Sequence, residues 1–359
     1  MNNPRTRRAS RLHGIRDLRL EELPRPVPGP GEVLLQVAFV GMCGSDVHYY
    51  LHGRIGNQVV TDPIIMGHEF SAWVAELGEG VTAPAVGQLV AVDPATSCGQ
   101  CEPCQQGHPN LCPQVRFCGT PPIDGVFAEY TVMPAANCFP LPDGLQPVAG
   151  ALLEPLGIAL HAVDLAHLKP GQTIAVLGGG PIGLLIAAVA RAGGASAIYM
   201  TEPLSDRRRF ALAYTADAVF DPAETDVVAE IKRLTGGRGV DVAFEAAGAP
   251  ETPQQAAAVA RVGGKVILAG IPADDTLTLN AGTVRQKGLT IKLVRRMKHT
   301  YPRAIRLVQT GQVDILPLAT HFFPLERIAE AFELVASYQD GVLRAMIQVG
   351  AEAPAKGTG

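Results

Sequence analysis

Little in this chain of 359 residues carries charge of one sign in bulk. Lys and Arg number 30 against 34 Asp and Glu, a net charge of −4, with no long basic run. A nucleic-acid-binding face, which needs clustered positive charge, is therefore not expected. Long apolar runs are also missing. The longest, Ile182 to Ala190, is nine residues and includes a glycine, about half of what spans a bilayer. Arg5, Arg7, Arg8 and Arg11 near the start are followed by no apolar stretch, so a secretory signal is not expected there. Cysteine stops at residue 138, and only seven are present, at 43, 98, 101, 104, 112, 118 and 138. In a chain with these features the thiols are expected to be reduced, and metal binding or catalysis explains a cluster better than disulfides do. The reading is a cytoplasmic protein. Apolar residues make up 47%, and the length exceeds what one hydrophobic core usually supports, so two domains are expected.

Of what is present, the segment from Gly41 to Glu69 is the richest. It opens Gly41-Met42-Cys43-Gly44-Ser45-Asp46-Val47-His48-Tyr49-Tyr50 and closes Met66-Gly67-His68-Glu69. Cys43, His68 and Glu69 bring together a thiol, an imidazole and a carboxylate, the three donor types that bind zinc tightly. A catalytic zinc keeps one position open, so three protein ligands are the expected number. Further on, Cys98-Gly99-Gln100-Cys101-Glu102-Pro103-Cys104 and then Cys112 place four thiols within fifteen residues at C-x2-C-x2-C-x7-C spacing. Four sulfurs on short Gly- and Pro-containing loops suit a closed, structural zinc site. An iron–sulfur cluster is the rival reading for that spacing.

The first 140 or so residues read as strand-rich with long loops. Residues 1 to 30 are extended chain, and strands are expected at Glu32 to Val40, Val86 to Val92 and Phe127 to Val132. From Val148 to Leu168 the periodicity is helical. Six strands, starting near 173, 197, 219, 241, 265 and 289, then alternate with helices, as a doubly wound parallel sheet requires. Helices near Tyr301 to Thr310 and Leu325 to Tyr338, a strand Arg344 to Val349 and a frayed tail from Ala351 to Gly359 complete the expectation. Thr173 to Leu177 runs into Gly178-Gly179-Gly180-Pro181-Ile182-Gly183 and an apolar helix. Gly178, Gly180 and Gly183 fit the dinucleotide fingerprint, with Pro181 and Ile182 in the first helical turn and the pyrophosphate on the helix N-terminus. Glu202 ends the next strand, where a carboxylate accepts from the adenine ribose and repels a 2′-phosphate, favouring NAD over NADP. Arg207, Arg208 and Arg209 follow; they serve a phosphate, with Arg207 the candidate, or form a solvated helix face.

These motifs, in this order and over nearly the whole chain, resemble the zinc-dependent medium-chain dehydrogenases. Cys43 to Tyr49, His52-Gly53-Arg54-Ile55-Gly56, Phe117-Cys118-Gly119-Thr120-Pro121-Pro122 and Leu318-Ala319-Thr320-His321 with Phe323-Pro324-Leu325 are most similar to the sorbitol (polyol) dehydrogenase branch. The resemblance implies an α/β fold: a Rossmann nucleotide domain, 153–295, and a strand-rich GroES-like catalytic domain split into 1–152 and 296–359. It implies two zinc ions per chain, with Cys43, His68 and Glu69 at the catalytic one and Glu154 either exchanging with its water or orienting it. Cys98, Cys101, Cys104 and Cys112 hold the structural one. The expected reaction is NAD-dependent oxidation of a secondary hydroxyl to a ketone, with the proton leaving through Ser45 and His48. Tyr49 and Phe117 are expected as pocket walls and Arg296 as a partner for further hydroxyls. A homodimer or homotetramer is implied, with a small polyol as substrate and neither nucleic acid nor membrane as partner. Departures are Ala72, where the His68-Glu69 box usually continues with glycine, and Met297, where tyrosine usually follows the arginine. With Arg295, Lys298 and His299 the Arg296 stretch is unusually basic. A threonine-type, diol or inositol dehydrogenase, and a non-catalytic zinc- and nucleotide-binding protein, are the alternatives.

Overall fold

In the computed structural model, residues 5–272 and 276–350 are described. The expected tail, 351–359, lies outside them. The chain forms two compact units: Met1–Glu154 with Tyr301–Gln309 and Asp314–Gly359, and Pro155–Thr300 with Thr310–Val313.

The first unit is built on a seven-stranded sheet. Its order runs Cys138–Pro140, Leu89–Val92, Glu69–Leu77, Glu32–Gly41, Arg344–Gln348 and Ala319–Pro324, with Tyr130–Pro134 also paired to Glu32–Gly41. The central strand Glu32–Gly41 is buried along most of its length because Val33, Leu35, Val37 and Val40 point into the core with Phe70, Val90, Phe127 and Phe332. The basic start of the chain is a hairpin, Thr6–Gly14 against Asp17–Pro24, more regular than plain extended chain. Its arginines are paired rather than gathered into a patch: Arg8 with Glu129, Arg11 with Glu21, and Arg19 with Asp17. Strands expected from Val86 and Phe127 begin later, at Leu89 and Tyr130. Gly87 takes φ 81°, which holds the chain in a turn up to that point.

The second unit carries six parallel strands, Thr173–Leu177, Ala197–Thr201, Ala218–Phe220, Val240–Glu245, Ala260–Leu268 and Thr290–Leu293. Numbered along the chain, their spatial order is 3-2-1-4-5-6, the doubly wound arrangement with its switch point beside the first strand. The fifth strand starts at Ala260, not near 265, because Ala260 pairs with Val240 before a register shift brings Lys265 opposite Val242. Helix Pro147–Ala166 is long and apolar enough to cross a membrane, but 78% of its apolar window is buried within the fold. It behaves as a core helix.

At the amino ends of these strands, Asp241 accepts from the Thr173 N–H and hydroxyl and pairs with Arg238 and Arg261. Burial works against its charge, but the Arg238, Thr173 and Arg261 hydrogen bonds outweigh it and hold the carboxyl well below the usual range. Such a depressed group stabilises the fold fully above the unfolded value, near ~3.9, and loses that contribution as pH falls toward the folded one. Asp241→Asn is therefore expected to cost roughly 2–4 kcal/mol at neutral pH. The difference from the parent should narrow below about pH 4, read from melting curves between pH 3 and 7. An equal loss at every pH would disprove the linkage.

Candidate active site

The helix Gly44–His52 was not apparent in the sequence. Cys43 is its N-cap, and the Asp46 side chain returns to accept the Cys43 N–H at 3.0 Å. The other Asp46 oxygen accepts the Gly67 N–H at 3.0 Å and lies 3.6 Å from His68 Nδ1. One carboxylate, 1% exposed, thus ties together the two segments that carry Cys43 and His68. Gly67 takes φ 89° and packs its Cα face on the Phe127 ring. This conformation favours glycine, and it turns His68 and Glu69 in succession into the same pocket.

Glu69 starts its strand directly opposite Gly41. A Cβ added at Gly41 would lie 2.5 Å from Glu69 Oε2, so the glycine is there to admit the carboxylate. Oε1 accepts from Arg344 Nη1 at 2.7 Å, and the same nitrogen donates to the Met42 carbonyl at 2.9 Å. Oε2 is buried and has no hydrogen-bond partner. The donor atoms of Cys43, His68 and Glu69 all lie within 4.8 Å of one another.

Glu154 reaches the same neighbourhood from helix Pro147–Ala166. Ser71 Oγ donates to the Pro147 carbonyl at 2.6 Å, and a Cβ at Gly150 would lie 2.8 Å from Ser71 Cβ, so the first turns sit tightly on the Glu69 strand. Burial, then the Glu69 charge, push the Glu154 carboxyl up to about 8, against the pull of His68 and Arg344. For His68, burial alone lowers the imidazole, yet Asp46 and Cys43 leave it raised well above its ordinary value. Burial and neighbouring negative charge set these two directions, and Glu69 Oε2 stands bare among them. Soft and hard donors in a buried, electronegative pocket fit a zinc ion. Cys118 and Cys138 are not in this donor group; their sulfurs approach Met133 Sδ and the Pro134 carbonyl, each at 3.6 Å.

The four thiols of Cys98, Cys101, Cys104 and Cys112 form the second donor group within 4.8 Å. Gly99 (φ 71°) and Gly107 (φ 76°) turn the loop. The Cys101 N–H points at Cys98 Sγ (3.3 Å) and the Cys98 N–H at Cys112 Sγ (3.4 Å). The Gln100 and Cys101 N–H groups bring the Cys98 thiol down to about 6. The Cys104 N–H lowers Cys101, but desolvation and its thiol neighbours leave it raised to about 12. Four adjacent sulfurs cannot all be anions without a cation among them, which fits a tetrathiolate metal.

Around the first pocket, the Phe117 ring lies 5.1 Å from the His68 ring. Tyr49 is buried and donates its hydroxyl to Gln58 at 3.2 Å. Ser45 is in the first turn of the short helix, and His48 Nδ1 faces the Arg54 carbonyl at 3.4 Å. Arg296 belongs to the second unit and takes φ 54°. Its neighbour Met297, standing where tyrosine was expected, is 7% exposed. A Cβ at Gly157 would meet Met297 Sδ at 2.4 Å and Thr300 Oγ1 at 2.7 Å, so Met297 is a packing residue clamped on that glycine.

In the glycine turn, Gly178 takes φ 111° and a Cβ there would strike Ala246 and Ala247 at 2.8 Å; one at Gly183 would come within 1.9 Å of the Gly178 carbonyl. Gly180, the N-cap of helix Pro181–Ala192, is different. A Cβ there would meet nothing nearer than Arg207 at 3.8 Å, and no side chain caps the helix. The N–H groups of Ile182 and Gly183 open the helix behind Pro181, an arrangement that fits a pyrophosphate. Glu202 is 4% exposed, and its two oxygens already accept the Gly179 and Leu204 N–H groups, each at 2.9 Å. Its charge therefore also fastens the turn. Of the three arginines, Arg207 alone adjoins the turn. Arg208 serves Asp221 and the Glu202 and Pro203 carbonyls, and Arg209 pairs with Asp206.

Residues 29–143 match the alcohol dehydrogenase GroES-like domain and residues 181–310 the zinc-binding dehydrogenase family. A sorbitol dehydrogenase of Bacillus subtilis (strain 168) is 40% identical over 344 residues, covering 96% of this chain and 98% of its own. The chain belongs to the zinc-dependent alcohol dehydrogenase family. It is an oxidoreductase, with a Rossmann-like parallel sheet and a GroES-like unit, in the polyol dehydrogenase branch. D-xylulose reductase A of Aspergillus niger is 39% identical over 330 residues, covering 90% of this chain and 92% of its own. The structure of 2R,3R-butanediol dehydrogenase from Bacillus subtilis superposes with a TM-score of 0.87 at 34% identity, covering 96% of this chain and all of that one (100%).

Proposed function

We propose that this enzyme oxidises a secondary hydroxyl of a polyol to a ketone with NAD. The first compact unit acts as the catalytic zinc-binding domain and the second as the dinucleotide domain. The observation that carries the reading is the group of half-buried Cys43 with buried His68 and Glu69, Glu69 Oε2 bare, in a chain 40% identical to a sorbitol dehydrogenase. Cys43, His68 and Glu69 would hold the catalytic zinc, and Cys98, Cys101, Cys104 and Cys112 the structural one. The first ion supplies Lewis acidity toward the substrate oxygen, and the nicotinamide supplies the hydride acceptor. The protein's own residues do the rest. Glu154 lies beside the ligands, where it would orient the substrate oxygen or exchange with the water on the ion. Ser45 accepts the substrate proton and His48, three residues on, passes it toward water. Phe117 and Tyr49 wall the pocket, and Arg296 binds additional hydroxyls.

Gly178, Gly180 and Gly183, with Pro181 and Ile182, receive the pyrophosphate, and Arg207 adds a cation beside it. Glu202 repels a 2′-phosphate by up to ~4 kcal/mol at 4 Å and an effective dielectric of 20. Glu202→Gln, which removes the charge and one of the two turn hydrogen bonds, should raise kcat/KM with NADP relative to NAD by roughly tenfold or more. An unchanged ratio would remove the role given to the charge.

All seven cysteines are free thiols, which supports a cytoplasmic setting. The edge strand Thr290–Leu293 leaves Leu293 62% exposed. An apolar side chain at an open sheet edge supports a homodimer or homotetramer. The decisive assay follows NADH and NADPH formation side by side across sorbitol-like polyols, vicinal diols, inositols and threonine. The polyols with NAD should give the highest kcat/KM; activity on none of the polyols would refute the reading. The butanediol dehydrogenase likeness makes a vicinal diol the second expectation.

A further inference from the structure

We propose that His48 and His52 form a third, exchangeable metal site of the bis-imidazole type, through which divalent zinc, nickel or copper inhibits this enzyme. The inhibitory part rests on the reading of His48 as a proton carrier. The site itself does not.

The two histidines are four residues apart on the helix Gly44–His52, so they share one face. Their ring centroids are 4.7 Å apart with 56° between the planes. A zinc–nitrogen bond of ~2.0 Å puts an ion ~3.2 Å from each ring centre. Centres 4.7 Å apart then subtend about 95° at that ion, between the octahedral and tetrahedral values that these metals accept. The ring separation is therefore compatible with one ion held by a nitrogen of each ring.

The hydrogen bonding points the same way. His48 Nδ1 faces the Arg54 carbonyl, and a carbonyl can only accept, so the ring N–H belongs on Nδ1 and the lone pair on Nε2. A metal-ligating histidine typically donates its other N–H to a backbone carbonyl in this manner. His52 is exposed at the helix end, where Gly53 (φ 66°) turns the chain away and closes the helix with its N–H on the Tyr49 carbonyl. Water can complete the coordination there, so the ion exchanges freely, unlike one in the buried three-donor pocket. Two imidazoles without a carboxylate select zinc, nickel and copper over magnesium or calcium. Neither histidine belongs to the Cys43, His68, Glu69 group. An ion on His48 Nε2 occupies the nitrogen that would carry the proton, and turnover should fall.

The test uses the zinc-loaded enzyme and zinc or nickel chloride alone. Isothermal titration should show one ion taken up per chain beyond the resting content, with NADH formation falling over the same concentration range. In His52→Ala, uptake should weaken about tenfold or more and inhibition should shift with it, while turnover without added metal is unchanged. Absence of an extra ion, or equal uptake by His52→Ala, overturns the site. Uptake that His52→Ala abolishes, but that leaves parent turnover untouched, overturns the inhibition and with it the relay through His48. Calorimetry reads the pair whatever the substrate, so a failed substrate reading is separately visible.

Discussion

Cys43→Ser should hold one zinc per chain instead of two and turn over at least about 10³-fold more slowly. The size follows from the chemistry: a metal ion stabilises developing charge on oxygen by several kcal/mol, and ~4 kcal/mol is already a thousandfold in rate. Serine is close in shape but a far poorer zinc donor than a thiolate. His68 and Glu69 alone then have to compete with water for the ion. Because Asp46 holds the Cys43 backbone N–H and a serine hydroxyl is itself a good N-cap acceptor, the variant should fold. Metal analysis and melting curves separate the two effects. The four-thiol group provides the internal control, since it should keep its ion in Cys43→Ser. Two zincs with undiminished turnover would end the assignment of this pocket.

The second large effect is expected at Arg344. Its guanidinium is 3% exposed and serves Glu69 Oε1 and the Met42 carbonyl with one nitrogen. Arg344→Met leaves a buried carboxylate and a buried carbonyl without donors, which typically costs 3–5 kcal/mol. The cost should depend on metal. With zinc bound, the Glu69 charge retains one compensating partner; after chelation it retains neither. The melting temperature of the variant should therefore fall further on treatment with chelator than that of the parent, and zinc should dissociate at least ~10-fold more readily. Arg344→Lys should recover part of both losses, since an ammonium restores the charge without the planar fork. Equal chelator sensitivity in the variant and the parent would show that Arg344 is only a structural residue.

Arg344 also illustrates where reading the sequence stopped. Cys43, His68 and Glu69, the four spaced thiols and the glycine turn were all visible, because each depends on residues close in the chain whose chemistry limits what they can do. The parallel sheet was visible for the same reason, through its regular alternation of apolar strands and helices. Arg344 lies 275 positions from its partner and has no motif around it; only the pairing of Gly41 with both Glu69 and Met346 brings it near. Asp46 stood within the motif, yet its double use was hidden until the Gly67 turn was seen. The helix Gly44–His52 is not legible in the sequence because Tyr49, Tyr50 and the glycine at its start are weak helix formers. Met297 was noted as a departure from the family pattern, and only its contact with Gly157 explains what it does.

The lateness of Arg344 in the chain matters during synthesis. Glu69 leaves the ribosome long before the strand that neutralises it, and the entire six-stranded nucleotide unit emerges in between. Until that final segment is made, the Glu69 carboxylate, at the strand end facing Gly41, lacks its guanidinium partner.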